Sequence, residues 1–556
     1  MSLHTQRRRN LNVHDVISQL DGDVSDFGDD SESEADDDDL YLPIHDPDDS
    51  EDQDDVASID HDDDSDGLFS DSDDVPLADV AAKAGTSKKT QKRKYTWCKT
   101  DFQPPDQTFR GPEFPEPYTD DDGTMHTPLQ YFRMFITEEM LQLIVDNTNQ
   151  YSLQKNGVSV KSNIKEIEQV LGMILLMGVV QMPGVRVYWE AATRFAPVAD
   201  IMSRNRFQLI LRSLHFVDNE GMDAEAKNDK LWKVRPILAM FREQCLKIVP
   251  GKEQSIDEMM VAFKGSFSGI KQYMKGKPTK WGFKIWARCS VTGLLHDFDV
   301  YQGKNNAARE KSPIGVGGDV IVNLCETLQK HNNYNIFADN LFTSMALLEK
   351  MKWDGFQYTG TVRKNRLSGC TLDGEKAMTK RGRGTYDCRV EKDTNIVCVR
   401  WIDTKPVTLM STCTGPEPLD MVRRWDKKKK DFVEVPRPNV IKEYNENMGG
   451  IHLMDSCISR YKYPLKSRRW YMYLFWQFVG NGVVTLGSCT VATMSNCEET
   501  RSKHAIFAVS RQQLQPASSK SIASASEVDQ ATPVGVLPNH QNKFVGHRTW
   551  TLEKTK

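Results

Sequence analysis

The chain has 556 residues, with 72 lysines and arginines against 78 aspartates and glutamates, a formal net charge of −6. Residues 1–80 hold 28 acidic and three basic residues, a net charge of −25, which leaves +19 for residues 81–556. The first segment carries too much charge and too few aromatic residues to bury a core, so we predict that it is disordered. The remainder is long enough for two or three domains, and its positive charge favours a polyanionic partner.

Several classes of protein are excluded by the distribution of apolar residues and cysteines. The longest apolar stretch, residues 170–182, is interrupted by polar and glycine positions and is shorter than the ~18 residues that a membrane helix needs. The N-terminal segment lacks the apolar region of a secretory signal. The 11 cysteines are scattered and form neither a CxxC pair nor a zinc-finger spacing. We therefore predict a reduced intracellular protein with no membrane partner and no zinc site.

A basic cluster follows the acidic segment directly. Its members are Lys88, Lys89, Lys92, Arg93 and Lys94. Such a cluster is typical of nuclear targeting signals and of nucleic-acid patches, a solvated linker being the alternative. We predict a disordered acidic tail over residues 1–95, ending in this cluster, and a nuclear location. Five prolines between positions 104 and 117 then predict a linker over residues 96–126.

The helical period dominates residues 127–250. Thr137 precedes two glutamates and an apolar stripe, which marks the start of a helix. Further helices are predicted over residues 164–182, 204–216 and 231–248. This part of the chain is therefore expected to be all-helical.

From Ser255 the pattern changes to that of β-strands. Residues 255–263 and 334–338 predict strands, and residues 284–301 predict a hairpin whose turn contains Thr292 and Gly293. A helix over residues 319–331 and a strand over residues 356–362 follow. Residues 366–440 predict a β-rich insertion, residues 441–495 predict helices, and the Ser/Ala/Gln-rich residues 496–556 predict a flexible tail.

The order of strand, hairpin, helix, strand and helix is the layout of an RNase H-like α/β core. Two neighbouring strands of such a sheet can bring Asp257 and Asp339 together across 82 positions. Two adjacent carboxylates repel each other and favour a hard cation, Mg²⁺ or Mn²⁺, which is the chemistry of phosphoryl transfer. A strand-end aspartate that only caps a turn is the alternative.

Four phrases in this order strengthen the metal hypothesis. They are SIDEMMVAFKG at 255–265, KPTKWGFKIW at 277–286, NIFADNLFTS at 335–344 and YNENMGGIHLMDSCISRYKYPLKSRRW at 444–470. Together they resemble the piggyBac family of DNA transposases and their domesticated relatives over residues 127–495. The resemblance implies three catalytic aspartates on an RNase H-like fold with a β-rich insertion, divalent-metal-dependent attack of hydroxyl groups on double-stranded DNA, and a homodimer. It also implies a DNA-binding and dimerisation role for the helical residues 127–250.

Carried over residue by residue, the resemblance places the first two catalytic aspartates, which would also be the metal ligands, at Asp257 and Asp339. The third position is occupied by His452, and Asp455 follows one turn later. The missing carboxylate implies weak metal binding and poor or absent transposition. An active transposase or nuclease that uses Asp455 as the third acid is the alternative, because residues three apart share a helix face.

Cations and aromatic residues near these positions predict DNA contacts. They are Lys264, Lys275, Lys277, Lys280, Lys466, Arg468, Arg469 and Trp470. Cations bind phosphates and aromatic rings stack on unpaired bases, although the apolar stripe of residues 471–478 is typical of a core.

The zinc module that commonly ends family members has no counterpart after Cys497. A third interpretation is a chromatin or transcription partner that binds basic proteins through the acidic tail.

Overall fold

The structure is a computed structural model that describes residues 94–112, 126–223, 225–265, 269–274, 277, 279–303, 312–426, 429–462 and 467–496. The predicted acidic tail up to Arg93, the C-terminal tail from Cys497, Lys275 and Lys466 lie outside these residues. All of the described residues belong to one compact unit.

In the described part of the chain, six helices precede the main strands of the sheet. Their bounds are Pro128–Phe135 (α1), Glu138–Asn156 (α2), Ile164–Val179 (α3), Ala196–Ala199 (α4), Arg204–Ser213 (α5) and Arg235–Lys247 (α6). The side chains of Thr127, Thr137, Asn163 and Ser203 cap four of them, each satisfying a backbone amide that has no partner within its helix. Helices occur at the four predicted places. The three helices for which both ends were predicted are each a few residues shorter than expected.

Most strands of a mixed sheet follow these helices. After the short edge strand Trp97–Cys98 (β1), which precedes them, come Glu253–Ala262 (β2), Lys271–Tyr273 (β3), Trp281–Ser290 (β4), Leu295–Val300 (β5), Asn335–Ala338 (β6) and Gln357–Thr361 (β7). β2 pairs antiparallel with β4 and parallel with β6, and β6 pairs parallel with β7. The predicted hairpin is confirmed as β4 and β5, with Gly293 in the left-handed region at φ 83°. The spatial order is therefore β5, β4, β2, β6, β7.

Two helices connect the parallel strands. They are Gly315–Cys325 (α7), before β6, and Met345–Trp353 (α8), before β7. The predicted helix over 319–331 is wrong at both ends. His331 has a left-handed backbone with φ 64°. A right-handed helix does not run through a residue in this conformation.

The predicted β-rich insertion extends the same sheet. Its strands are Tyr386–Glu391 (β8), Val397–Ile402 (β9) and Pro406–Ser411 (β10), and β10 pairs antiparallel with β7. A separate hairpin consists of Asp420–Asp426 (β11) and Asp431–Arg437 (β12). Helix Glu375–Arg381 (α9) lies between β7 and β8.

Part of the predicted linker belongs to the sheet. Residues Trp97–Cys98 form an edge strand (β1) that pairs with β8. The ring of Phe109 packs edge-on against Tyr334 with centroids 5.0 Å apart, and the amide of Arg110 donates to the carbonyl of Asn332 at 3.0 Å. The prediction of a linker is therefore wrong for residues 96–112, because these contacts hold the segment against the sheet.

The C-terminal helices are Asn439–Asn447 (α10), Gly450–Tyr461 (α11) and Trp470–Asn496 (α12). The apolar stripe on α12 joins the helical region to the sheet: Phe475 packs against Phe216 at 4.6 Å, and Phe478 packs against Phe298 at 4.3 Å between ring centroids. The core role of this stripe is confirmed. Within the described residues, no helix combines the length and apolarity required to cross a bilayer.

Candidate active site

The parallel pairing of β2 with β6 positions the two predicted aspartates. Ile256 stands opposite Ala338 in the register, so the next residues, Asp257 and Asp339, lie side by side at one edge of the sheet. Asp257 is buried. The side chain of Asp339 accepts the amide of Leu341 at 2.7 Å. The structure therefore brings these two carboxylates together, as the parallel-strand interpretation requires.

Glu258 is a third acid at the same place. One side-chain oxygen from each of Asp257, Glu258 and Asp339 lies within 4.8 Å of the others. Glu258 is 6% exposed, and its buried Oε2 has no hydrogen-bond partner among the residues that the structure describes. The sequence alone does not place Glu258 with Asp257, because consecutive residues of a regular strand point to opposite faces. The available signal was the adjacent acidic pair itself.

The three acids strongly affect one another's ionisation. Burial and the charge of Glu258 raise the pKa of Asp257 to about 8, and the same two causes raise the pKa of Asp339. Burial alone would raise the pKa of Glu258, but the ammonium groups of Lys277 and Lys284 outweigh burial and lower it. Asp257 and Asp339 therefore hold a proton more tightly than ordinary aspartates do, and a bound cation would favour its loss.

Lys277 faces this acidic group. Its Nζ lies 3.4 Å from Glu258 Oε1 and 3.8 Å from Asp257 Oδ2, and it donates to the carbonyl oxygen of Glu258 at 3.1 Å. Burial would lower the pKa of Lys277, but the two neighbouring acids outweigh burial and raise it. The charge of this predicted DNA-binding lysine is therefore directed at the acids beside it.

His452 reaches the same centre from α11. Its Nε2 lies 3.3 Å from Asp257 Oδ2, while the side chain stays 65% exposed. The first residue of α11, Gly450, packs against the sheet so closely that a Cβ there would overlap the carbonyl oxygen of Ser290 and come within 2.7 Å of Ser255 Oγ. Burial and Lys277 lower the pKa of His452. Position 452 thus offers the centre an imidazole whose neutral form is favoured.

Asp455 lies outside the group of three acids. It lines a cavity of about 360 Å³ together with Lys462, Met472, Trp476 and Gln477. Burial raises the pKa of Asp455. The geometry therefore gives no support to the alternative in which Asp455 completes the catalytic trio.

The predicted DNA contacts divide into exposed and buried residues. Lys264, Lys280 and Arg468 are exposed. Arg469 is 2% exposed, and its guanidinium donates to the carbonyls of Leu214 at 2.7 Å and Leu211 at 2.8 Å. Trp470 is buried and packs edge-on against Phe283. Because both side chains are buried, the predicted DNA contacts of Arg469 and Trp470 do not fit this structure. The two residues contribute to its core instead.

Several known proteins are similar in sequence to this chain. A family profile described as Transposase IS4 matches residues 127–484. The human PiggyBac transposable element-derived protein 3 is 37% identical over 352 residues, which make up 62% of this chain and 58% of the relative. The chain thus spans less than two thirds of that relative's length. The human PiggyBac transposable element-derived protein 2 is 32% identical over 411 residues, 73% of this chain and 67% of the relative.

A solved structure shares the fold. It is a cryo-EM structure of a piggyBac transposase synaptic complex with hairpin DNA, which matches with a TM-score of 0.58 and 24% sequence identity. The match covers 70% of this chain and 80% of that chain. The mixed α/β architecture is therefore that of a known transposase.

Proposed function

Because the chain belongs to the piggyBac-type Transposase IS4 family, we propose that it is a nuclear, transposase-derived DNA-binding protein whose catalytic centre has lost its third aspartate. The order of strands β5, β4, β2, β6, β7, with an acid at β2 and another directly after β6, supports an RNase H-like core. Fold alone does not define activity, so the proposal depends on the residues of the centre.

The observation that carries the proposal is the position of His452. Its Nε2 stands 3.3 Å from Asp257 Oδ2. The family pattern has a carboxylate at the position that His452 occupies. Imidazole is a poor ligand for Mg²⁺ and a better one for Mn²⁺. Since a misplacement of 1 Å can cost ~100-fold in rate, the neighbouring Asp455 is a poor substitute. We infer that DNA strand transfer is weak or absent in Mg²⁺.

The remaining acids fit a divalent cation. Their mutual spacing within 4.8 Å, and the Oε2 of Glu258, which has no partner within the described part of the chain, suit a hard ion bound by oxygen ligands. Asp257 and Asp339 would hold the ion. A bound divalent metal supplies Lewis-acid stabilisation of charge on phosphate oxygens.

A strand-transfer assay with labelled DNA ends tests the catalytic part of this proposal. We expect the native chain to be inactive in Mg²⁺ and the His452→Asp variant to gain activity, with His452→Asn as the isosteric control without a carboxylate. Equal activity of the native and His452→Asp chains would contradict the proposal. Absence of activity in both would show that position 452 is not the decisive lesion.

DNA binding is the second part of the proposal. Residues 81–556 carry a net charge of +19, and Lys264 and Lys280 expose their charges on the chain that follows Asp257. DNA binding through phosphate contacts weakens as the salt concentration rises. The slope of log affinity against log salt concentration decreases in magnitude by about one for each contact removed. Double-stranded DNA is therefore the proposed partner, and a homodimer through the helical region is proposed with it.

A salt titration of DNA affinity tests this part. We expect Lys264→Gln and Lys280→Gln each to lower the salt slope by about one. Lys392→Gln is the matched control, because exposed Lys392 lies beside β1 at the opposite edge of the sheet from β3. Equal slopes for all three variants would contradict a DNA surface near β3.

Nuclear location is proposed from the basic cluster at residues 88–94. Replacing its lysines and arginine with glutamine in a fluorescently tagged chain should shift the protein out of the nucleus. An unchanged distribution would contradict this role.

A further inference from the structure

We propose that Glu258 supplies a third carboxylate ligand to a single divalent-cation site shared with Asp257 and Asp339. This inference rests on the proposed function, since it gives the altered centre a ligand set of its own. The sequence pattern of the family assigns the third position to residue 452, on α11. In this chain the third carboxylate comes instead from β2, directly beside the first.

The spacing of the three acids is close to that of a coordination shell. One oxygen from each lies within 4.8 Å of the others. Around an octahedral Mg²⁺ with bonds of ~2.1 Å, opposite oxygens are ~4.2 Å apart and adjacent oxygens ~3.0 Å apart. The three carboxylates would therefore have to close in on an ion bound between them.

Glu258 provides an independent sign that a ligand belongs here. Its side chain is 6% exposed, and its Oε2 is buried without a hydrogen-bond partner in the described residues. A buried charged oxygen without a partner is costly. A cation among the three acids would satisfy it, which an ordinary structural role for Glu258 would not.

The other two candidates for the third ligand are less well placed. His452 is 65% exposed, with its Nε2 3.3 Å from Asp257 Oδ2, and it is not a member of the group whose ligand atoms lie within 4.8 Å of one another. Asp455 is not a member of that group either and lines a cavity with Lys462. Glu258 is therefore the acid that the structure adds to the two family aspartates.

Lys277 competes with the cation. Its Nζ lies 3.4 Å from Glu258 Oε1 and 3.8 Å from Asp257 Oδ2, so an incoming ion must displace this ammonium group or bear its repulsion. The native site should therefore bind the ion weakly. Replacing Lys277 by methionine keeps most of the apolar stem and removes the competing charge.

Titration of the full chain with Mn²⁺, following free Mn²⁺ by electron paramagnetic resonance, tests the proposal without any activity readout. We expect Glu258→Gln to weaken Mn²⁺ binding by about tenfold or more, as losing even outer-shell groups costs 10–100-fold. Glu253→Gln is the matched control, with the same chemical change at the other end of β2, and should stay within about twofold of native. Lys277→Met should tighten binding by about tenfold.

Each outcome decides the question. Native affinity in Glu258→Gln, or weakening by Asp455→Asn in its place, would overturn the assignment. If Glu258→Gln does not fold by circular dichroism, an unchanged Mn²⁺ affinity of Lys277→Met would overturn it. DNA affinity measured in chelator on the same samples separates the two proposals, because loss of DNA binding refutes the proposed function while the Mn²⁺ titration still decides the role of Glu258.

Discussion

Replacing Arg469 with alanine should destabilise the fold without directly weakening DNA binding. The guanidinium of Arg469 enters the core from the start of α12 and donates to the carbonyls of Leu214 and Leu211 at the end of α5. The last carbonyls of a helix have no partner within it. Arg469 therefore caps α5 and ties it to α12.

The magnitude follows from the two carbonyls that lose their donor. A buried acceptor left without a hydrogen bond costs about 1–3 kcal/mol, so the Arg469→Ala variant should lose about 2–6 kcal/mol of unfolding free energy. Domains are typically stable by only about 5–15 kcal/mol. The loss is thus large enough to lower the urea midpoint clearly.

The neighbouring Arg468 is a matched control, because it is the same residue type one position earlier and is exposed. Arg468→Ala should lower the unfolding free energy by less than Arg469→Ala does, because its side chain is exposed, and it should weaken DNA binding. Urea unfolding followed by tryptophan fluorescence, and DNA binding at fixed salt, measure the two effects. Equal stability of the two variants, or loss of DNA affinity in a stable Arg469→Ala chain, would refute the capping role.

Three further predictions concern the fold around the centre. Burial and the charge of Arg288 lower the pKa of His296 to about 3, so only the unfolded state takes up this proton between about pH 6.5 and 3. The unfolding free energy should therefore fall by about 2 kcal/mol between pH 6.5 and 5 because of His296. Urea unfolding of His296→Leu at these two pH values should show a pH-dependent loss that is smaller by this amount. Arg242→Leu should lower the unfolding free energy by about 3 kcal/mol, because it leaves the fully buried carboxylate of Asp297 without its two guanidinium bonds; a loss below about 1 kcal/mol in urea would contradict this. Gly450→Ala should force α11 away from the sheet, costing about 1–3 kcal/mol, and a thermal midpoint equal to that of the native chain would show that the contact yields freely.

Local patterns were sufficient for the elements and for the two aspartates. The Thr137 cap and the Gly293 turn are set by neighbouring residues, so the sequence predicted them. The proximity of Asp257 and Asp339 also followed, because parallel neighbouring strands bring their ends to one edge. These features need only chain order and hydrophobic period.

The rest depends on contacts that no local pattern encodes. Alternation in a strand separates Asp257 from Glu258, yet the structure brings both acids to Asp339. A basic sequence predicted Arg469 at the surface, while the packing of α12 against α5 buries it. The pairing of β1 with β8 joins positions almost 300 residues apart, Trp97 and Glu391, so its short segment looked like a linker.

Anomalous diffraction from crystals of the native chain grown with Mn²⁺ tests the central claim most directly. We expect one peak within ~2.0–2.6 Å of carboxylate oxygens from Asp257 and Asp339, with Glu258 as the third ligand and Lys277 displaced. An ion bound through Asp455, or no ion at the two aspartates at saturating Mn²⁺, would contradict it.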